Sequence, residues 1–375
     1  MPDLRFAELC GLIEREAPQL HIPGVALGIL HGGETYTSGF GVTNVEHPLP
    51  VNEDTLFQIG STTKTVTATA AMRLVEQGRL DLNVPVRTYI PELRLQDGDA
   101  AAHVTMRHLF SHTGGWLGDY FADFGNGDDA LARMVAKMAD LPQITPLGRY
   151  WSYNNAGFYL AGRVLEVVAG KPFEMLAKEL VLDPLGMTNT RLPVEPLPAG
   201  SFATAYVDGV AQPQEVLSAL ATGGVYSTAS DMGRLARMFL GGGSVDGVTI
   251  LSEASVASMG EDQTRDTFRP VDSLMFRPGL GWDTIEQAGL KAVNVVGWCK
   301  GGDTGQYGAA LIVAPEAGLA AVAIGVSGLG SSNATIIAER VLLRAMVENG
   351  RLASFPEPLD QKVPEKADVP DGLLE

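Results

Sequence analysis

The sequence predicts an α/β (α+β) protein, in which an antiparallel sheet flanked by terminal helices is joined to an all-helical lobe. Two observations lead to this fold class. Strand-like apolar runs occur near both ends of the chain, and helical periodicity dominates the long stretch between them. A sheet built from both ends with helices inserted between leaves the helices as a second lobe. A site is therefore expected in the seam between the lobes, where pockets are common.

The beginning of the chain is expected to form a helix and then a β-hairpin. Apolar residues at helical spacing predict a helix over residues 5–18. An apolar run at 24–30 and a β-prone segment at 35–41, separated by Gly32-Gly33, predict two paired strands.

The middle of the chain is predicted to be mainly helical. Ser61 precedes the apolar segment 62–77 and Gly78 follows it, a pattern typical of a helix capped by a serine and ended by a glycine. Further helices are predicted over residues 129–139, 157–168, 173–181 and 230–240.

The late part of the chain returns to the sheet. It is predicted to contain strands 309–313 and 319–326, joined by a turn at 315–318, and a final helix over 333–349. The predicted domains are residues 1–60 with 291–350 as a discontinuous α/β lobe, 61–290 as a mainly helical lobe, and 351–375 as a proline-rich charged tail.

Composition excludes several classes of partner. The chain has 375 residues and a net charge of −17, from 27 Lys and Arg against 44 Asp and Glu. This excess repels phosphate backbones and anionic lipids, so neither nucleic acid nor a membrane is expected as a partner. The longest apolar stretches, such as 319–326, are too short to span a bilayer. The charged residues among the first 19 positions are unlike a signal-peptide core, so a cytoplasmic location is expected.

The cysteines and histidines predict no metal site. Cys10 and Cys299 lie far apart in sequence, and two free thiols are expected rather than a disulfide. His108 and His112 are four residues apart, but the HExxH arrangement of many zinc sites is absent. Structural hydrogen bonding is therefore expected of this pair, and no cofactor is predicted.

The first element that indicates chemistry is Ser61-Thr62-Thr63-Lys64. Residues three apart share a face of a helix, so the Lys64 amine is expected beside the Ser61 hydroxyl. A serine hydroxyl is a weak nucleophile until a neighbouring base takes its proton, and an amine does so once burial or a nearby cation lowers its pKa. A capped helix with a surface lysine is the alternative interpretation of this element alone.

Two more elements contain candidate site residues. In Tyr153-Asn154-Asn155, the phenol is suited to relay a proton if cations lower its pKa, and the Asn155 amide to hold Lys64 or a substrate carbonyl. The segment 300–305, which begins Lys-Gly-Gly-Asp, precedes a predicted strand and is expected on an edge strand or its turn. Its glycines allow close approach of a substrate, and its lysine offers a cation to a carboxylate.

Taken in order, Ser61-x-x-Lys64, Tyr153-x-Asn155 and Lys300-x-Gly302 resemble the serine β-lactamase and penicillin-binding-protein superfamily. The middle element is similar to that of the class C branch, which also holds D-amino-acid-specific peptidases and family VIII carboxylesterases. The resemblance implies a β-lactamase/transpeptidase-like fold and covers roughly residues 20–345. Further segments similar to this branch are 57–61, 78–82, 109–115 and 223–231.

The resemblance implies a role for each matched residue. Ser61 is expected to be acylated, with Lys64 and Tyr153 sharing the general-base work. The oxyanion hole is expected from the backbone amides of Ser61 and Asp303, and Asn155 is also expected to orient Lys64. Substrate binding is expected of Asn155, Lys300, Gly301 and Gly302.

Two departures from the family pattern bear on the substrate. Gly301 stands where β-lactamases usually carry Thr, and Asp303 replaces a small residue. The Asp303 charge is expected to offset Lys300 in part and so to weaken attraction of carboxylate substrates. The first hypothesis is therefore a carboxylesterase-like serine hydrolase that acts through an acyl-enzyme on small esters, with weak β-lactam hydrolysis at most.

Two alternatives stay open. A β-lactamase or a D-amino-acid-specific peptidase (DD-carboxypeptidase) is favoured by Lys300, which suits a carboxylate substrate. A catalytically silent, penicillin-binding-like scaffold is disfavoured by the joint presence of Ser61, Lys64, Tyr153 and Lys300. The expected partner is a small ester, amide or β-lactam, and the sequence predicts no oligomeric state.

Overall fold

A computed structural model of the chain describes residues 22–125, 127–216, 220–265, 267, 276–326 and 328–356. The predicted N-terminal helix over residues 5–18 lies outside these residues, as do Cys10 and most of the predicted tail.

Five strands form the central sheet, and both ends of the described chain contribute to it. All neighbouring strands are antiparallel, and their order is β2-β1-β11-β10-β9. The six short strands pair as β3-β6, β4-β5 and β7-β8. The strands are β1 (Gly24–His31), β2 (Glu34–Gly41), β3 (Phe57–Gln58), β4 (Tyr206–Val207), β5 (Val210–Ala211), β6 (Tyr226–Ser227), β7 (Ser244–Val245), β8 (Val248–Thr249), β9 (Trp298–Asp303), β10 (Tyr307–Ala314) and β11 (Leu319–Val326).

Helices occupy most of the chain between the two groups of sheet strands. A π-helical segment, Lys178–Leu182, continues the helix that ends at Ala177, and a 3-10 turn, Gly60–Thr62, precedes the helix that begins at Thr63. The helices are α1 (Thr63–Glu76), α2 (Gly98–His103), α3 (Met106–Phe110), α4 (Ala130–Lys137), α5 (Asn155–Ala169), α6 (Phe173–Ala177), α7 (Asp183–Leu185), α8 (Ala229–Leu240), α9 (Glu253–Met259), α10 (Ala288–Ala292) and α11 (Gly330–Glu348).

The predicted fold class is confirmed, as are the hairpin, the late strands and the helices predicted within the described residues. Strands β10 and β11 are buried along their whole length because helices cover both faces of the sheet. The terminal helix α11 packs on one face, and α8 packs on the other. The predicted division into lobes stays a prediction.

The strand register decides which side chains of β9 face the helical part of the molecule. Lys300 pairs with Leu311, which belongs to the larger core shared with the helices. Cys299 pairs with Ile312, which belongs to the second core under α11. Because side chains alternate along a strand, Lys300 points away from α11. Strand β9 is the edge of the sheet, as predicted for this segment.

The predicted serine cap of α1 is wrong. Thr62 is the residue before the helix, and its side chain makes no capping hydrogen bond. Ser61 lies in the preceding 3-10 turn, so its hydroxyl is not used by the helix backbone. Gly78 follows the helix with φ +67°, as expected of a terminating glycine. Among the residues that the structure describes, no helix is long and apolar enough to cross a membrane.

Candidate active site

The turn that holds Ser61 is pressed against the end of β9. Gly60 has φ +49°, and a Cβ atom there would lie 2.7 Å from the Asp303 nitrogen. A Cβ atom on Gly302 would lie 2.0 Å from the Ile59 oxygen. Only glycines allow the two backbones to approach this closely. Ser61 and Asp303 consequently lie side by side on the wall of one crevice.

Lys64 lies at the centre of the hydrogen bonds around Ser61. Its Nζ atom donates to Ser61 Oγ at 2.9 Å, to Asn155 Oδ1 at 2.8 Å and to the Thr222 carbonyl at 3.0 Å. All three acceptors are neutral oxygens, and the side chain is fully buried. Burial, with a smaller contribution from the Lys300 charge, holds the pKa of Lys64 well below its ordinary value.

Tyr153 lies between Ser61 and the second buried lysine. Its hydroxyl accepts from Lys300 Nζ at 3.4 Å, and it lines the same cavity as Ser61, close enough for the Ser61 side chain to affect its pKa. Burial raises the pKa of this phenol, and the opposing effect of the Lys300 charge does not cancel the increase. From the sequence, the proton-relay role of Tyr153 is conditional on cations lowering its pKa. The structure does not meet this condition, because the pKa is raised. The phenol is neutral near pH 7.

His112 and Asn154 fix the position of the Tyr153 ring. The imidazole stacks on the ring with centroids 4.3 Å apart, and its Nδ1 atom accepts from the Asn154 N–H at 3.0 Å. Asn154 in turn caps α5 by accepting from the Gly157 N–H at 2.7 Å. Burial lowers the pKa of His112, so the ring stays neutral and keeps its acceptor nitrogen. This histidine braces a loop.

Asn155 begins α5 and reaches Lys64 across 91 residues of sequence. Its Nδ2 group donates to Asp119 Oδ1 at 3.0 Å, which fixes the amide so that its oxygen faces the amine. Asp119, Asn155, Lys64 and Ser61 thus form one continuous chain of hydrogen bonds.

Lys300 is as deeply buried as Lys64 but is paired with a carboxylate. Its Nζ atom lies 2.8 Å from Asp283 Oδ1 and 2.9 Å from Oδ2, and it also donates to the Gly301 carbonyl at 2.7 Å. The Gly301 N–H donates to the same carboxylate at 2.9 Å. Burial by itself would lower the pKa of Lys300, but the charge and hydrogen bond of Asp283, together with the contribution of Tyr153, outweigh it, so the pKa is raised.

The ion-pair partner of Lys300 is therefore Asp283, and not Asp303 as the sequence suggested. The Asp303 carboxylate accepts from the backbone N–H groups of Gly305 at 2.8 Å and of Ser331 at 3.0 Å. These bonds tie its charge to the start of α11, while its backbone remains at the Ser61 turn.

A cavity of about 750 Å³ connects these groups. The reacting groups Ser61, Tyr153 and Lys300 line one end of it, and the cavity continues along α10 and α11 to Phe355. Gly301 lies between the two parts, and a Cβ atom there would come 3.3 Å from the Ser331 Cβ atom. The cavity is large enough for a drug-sized molecule.

Sequence reasoning missed Asp119, Asp283 and Thr222. Asp283 reaches Lys300 because an isolated bridge pairs Thr284 with Cys299, a contact that no motif announces. Thr222 contributes its backbone carbonyl to Lys64. Because every residue has such a group, no sequence motif could identify it. Within the described ranges, no three His, Cys, Asp or Glu side chains are grouped as a metal ligand set would be.

The chain is similar to known proteins in sequence. Residues 11–342 match the family described as Beta-lactamase, and the chain belongs to that family. It is 32% identical over 321 residues to "Penicillin-binding protein 4" of Amycolatopsis lactamdurans, covering 83% of each chain. It is 34% identical over 208 residues to "Esterase EstB" of Burkholderia gladioli, covering 51% of this chain and 52% of that protein.

The fold comparison points to the same group. The structure of a class C β-lactamase from Rhodobacter sphaeroides superimposes with a TM-score of 0.72 at 23% identity, over 91% of this chain and 99% of that one. The chain is thus a member of a β-lactamase-fold family of serine hydrolases, with relatives named penicillin-binding protein, β-lactamase and esterase. The resemblance stated from the sequence is confirmed.

Proposed function

We propose that this protein is a serine hydrolase that cleaves small esters through an acyl-enzyme on Ser61, with β-lactams as weak substrates at most. The observation that carries the proposal is the contact between Lys64 Nζ and Ser61 Oγ at 2.9 Å, made by an amine whose pKa is held well below its usual range. In the neutral amine, the two N–H groups serve Asn155 Oδ1 and the Thr222 carbonyl, and the lone pair accepts from the Ser61 O–H, which makes Lys64 a competent general base.

Acylation begins when Lys64 takes the Ser61 proton and Ser61 Oγ attacks the ester carbonyl. A C–O bond forms, and the carbonyl electrons move to its oxygen. The N–H groups of Ser61 and Asp303 are proposed to hold this oxyanion; one such donor contributes about 10²–10³ in turnover. When the intermediate collapses, the bond to the leaving alkoxide breaks, and the alkoxide takes the proton that Lys64 received.

Tyr153 is proposed as the relay for that proton. Lys300 donates to its oxygen, so the phenol hydrogen is free to point to Ser61 or to the leaving group. In deacylation the same groups work in reverse: Lys64 takes a proton from water, the hydroxide attacks the ester carbon, and Ser61 leaves with the proton from Lys64. Asn155 keeps the Lys64 amine aligned in both halves of the reaction.

Lys300 is the reason for preferring esters to β-lactams and D-peptides. An ammonium group has three donors, and those of Lys300 already face Tyr153, Asp283 and the Gly301 carbonyl. A substrate carboxylate would have to displace one of these acceptors and would meet the Asp283 charge. A neutral ester has no such requirement.

A β-lactamase or D-peptidase is the second candidate, because Lys300 lines the same cavity as Ser61 and relatives are named β-lactamase and penicillin-binding protein. Kinetics with three substrates separate the two: a short-chain nitrophenyl ester, a chromogenic cephalosporin and a D-alanyl amide. We expect the ester to have the highest kcat/KM. Faster turnover of the cephalosporin would contradict the ester preference and favour this candidate.

Covalent labelling tests the catalytic role of Ser61 against a silent scaffold. We expect a fluorophosphonate to add one label to the wild-type protein, located at Ser61 by peptide mass spectrometry, and none to Ser61→Ala. Ser252→Ala is the control, since Ser252 caps α9 away from this site and its loss should leave the label in place. An unlabelled Ser61 would support the scaffold. The cytoplasmic location stays a prediction.

A further inference from the structure

One carboxylate in the crevice has no charged partner. Asp119 lines the cavity together with Ser61 and is exposed to it. Its Oδ1 atom accepts from Asn155 Nδ2 at 3.0 Å. Within the described part of the chain, the Asp119 carboxylate makes no other hydrogen bond and forms no ion pair. A negative charge is therefore presented to any substrate that occupies the Ser61 end of the cavity.

The neighbouring charges at this end are already compensated. Lys300 is paired with Asp283, and Asp303 accepts from two backbone N–H groups. Burial holds the pKa of Lys64 well below the ordinary value, which favours the uncharged amine relative to an exposed lysine. Asp119 consequently determines the charge that a substrate meets next to the nucleophile.

The charged groups at the far end of the cavity are held by other contacts. Glu339 accepts from the Gln287 amide, and Arg340 lies over the Phe355 ring at 5.8 Å. Both are on α11, which packs on the face of the sheet opposite to the one that Lys300 faces. Within the described residues, neither is paired with Asp119.

We propose that Asp119 sets substrate choice by favouring acyl groups that carry a protonated amine close to the ester carbonyl, and by disfavouring anionic acyl groups. The inference rests on the proposed function. Asp119 and Ser61 line the same cavity, and Asn155 and Lys64 connect them through hydrogen bonds of 2.8–3.0 Å, so the carboxylate belongs to the end of the cavity where the acyl group would bind.

Three esters of nearly equal shape test the proposal. Methyl 3-aminopropanoate carries an ammonium group, methyl butanoate a methyl group and monomethyl succinate a carboxylate at the same end of the acyl chain. Methanol release gives kcat/KM for each at pH 7. The quantity compared is the ratio of each charged ester to methyl butanoate, because this ratio cancels any general effect of a variant on catalysis.

The decisive variant is Asp119→Asn, which keeps an oxygen for the Asn155 amide and removes the charge. We expect its amine-to-neutral ratio to fall about three- to tenfold, a modest effect because water screens an exposed charge. The succinate-to-neutral ratio should rise. Glu316→Gln, an exposed acid on the turn after β10, is the matched control and should leave both ratios as in the wild type.

The outcomes separate the two proposals. Equal ratios in wild type and Asp119→Asn, with methyl butanoate still hydrolysed, would overturn the role of Asp119 and leave the hydrolase intact. Failure of the wild-type protein to hydrolyse any of the three esters would overturn the proposed function, and this inference with it. Unfolding midpoints of both variants show whether each is folded.

Discussion

Two lysines flank Tyr153, and their surroundings shift their pKa values in opposite directions. Lys64, on helix α1, and Lys300, on edge strand β9, are both about 1% exposed or less. Their Nζ atoms lie 5.2 and 5.5 Å from the centre of the Tyr153 ring. The pKa of Lys64 is lowered and that of Lys300 is raised. Burial is the largest single influence on both, and it favours the neutral amine in each case.

The difference comes from the acceptors. Lys64 is held by a hydroxyl, an amide oxygen and a backbone carbonyl, whereas Lys300 is held by the carboxylate of Asp283. Neutral acceptors do not offset the free energy lost when an ammonium group is buried, whereas a nearby carboxylate stabilises the charge. The pair thus offers a base and a fixed cation within one crevice. The same cation helps to keep the base neutral, because like charges repel.

The largest effect should come from removing the base. Lys64→Met is expected to lower kcat/KM for a nitrophenyl ester by about 10³–10⁴-fold, near the upper range for loss of a general base. Lys137→Met, which removes an exposed lysine of α4, is the control and should keep wild-type activity. If Lys64→Met is folded and retains a tenth of the wild-type activity, Lys64 is not the base, and the two lysines do not differ as base and fixed cation.

The ion pair of Lys300 should be important for folding rather than for chemistry. Asp283→Asn leaves a buried ammonium without its carboxylate, and we expect the free energy of unfolding to fall by about 3 kcal/mol. This is the lower end for a broken buried pair, because Asp283 keeps some contact with water. Urea unfolding at pH 7 measures the change.

A surface pair supplies the matched control for that measurement. Glu286→Gln removes the carboxylate, about 31% exposed, that pairs with Arg277 and Lys291, and its cost should stay below about 1 kcal/mol. A double variant, Lys300→Met/Asp283→Asn, should recover part of the stability that Asp283→Asn loses, since it removes the unpaired charge. Equal losses in Asp283→Asn and Glu286→Gln would mean that Lys300 does not depend on its partner.

The contacts of Lys64 and Lys300 could be predicted from the sequence where the contacting residues are close together in the chain. The Ser61–Lys64 contact follows from helical spacing, and the place of Lys300 on an edge strand follows from the strand and glycines around it. These are short-range patterns, and the fold class rests on the same kind of evidence. The condition that the Lys64 amine needs a lowered pKa also follows from the sequence, and burial meets it in the structure.

The rest of the site depends on contacts that no spacing encodes. Asp283 is 17 residues from Lys300, Asp119 is 36 from Asn155, and Thr222 is 158 from Lys64. Tertiary packing brings each pair together, so the sequence predicts a partial offset of the Lys300 charge by Asp303, three residues away, and not the ion pair with Asp283. The raised pKa of Tyr153 was missed for the same reason, because burial is a property of the folded chain.

The smallest effect, and the most specific, should be a shift in the pH profile. Catalysis needs the neutral Lys64 amine, so kcat/KM should rise with pH as that group loses its proton. Lys300→Met removes a cation that lowers the Lys64 pKa and leaves Asp283, whose charge raises it. The Asp283 effect is present in both proteins, so removal of the Lys300 charge is the change that raises the Lys64 pKa, and the rising limb should move to higher pH.

The double variant Lys300→Met/Asp283→Asn tests whether that shift is electrostatic. It removes both charges, whose effects on the Lys64 pKa oppose each other, so its rising limb should lie between those of wild type and Lys300→Met. Profiles with a neutral ester between pH 5 and pH 10 measure the midpoint separately from the maximal rate. A limb that stays in place in Lys300→Met, or moves to lower pH, would mean that the titrating base is a group other than Lys64.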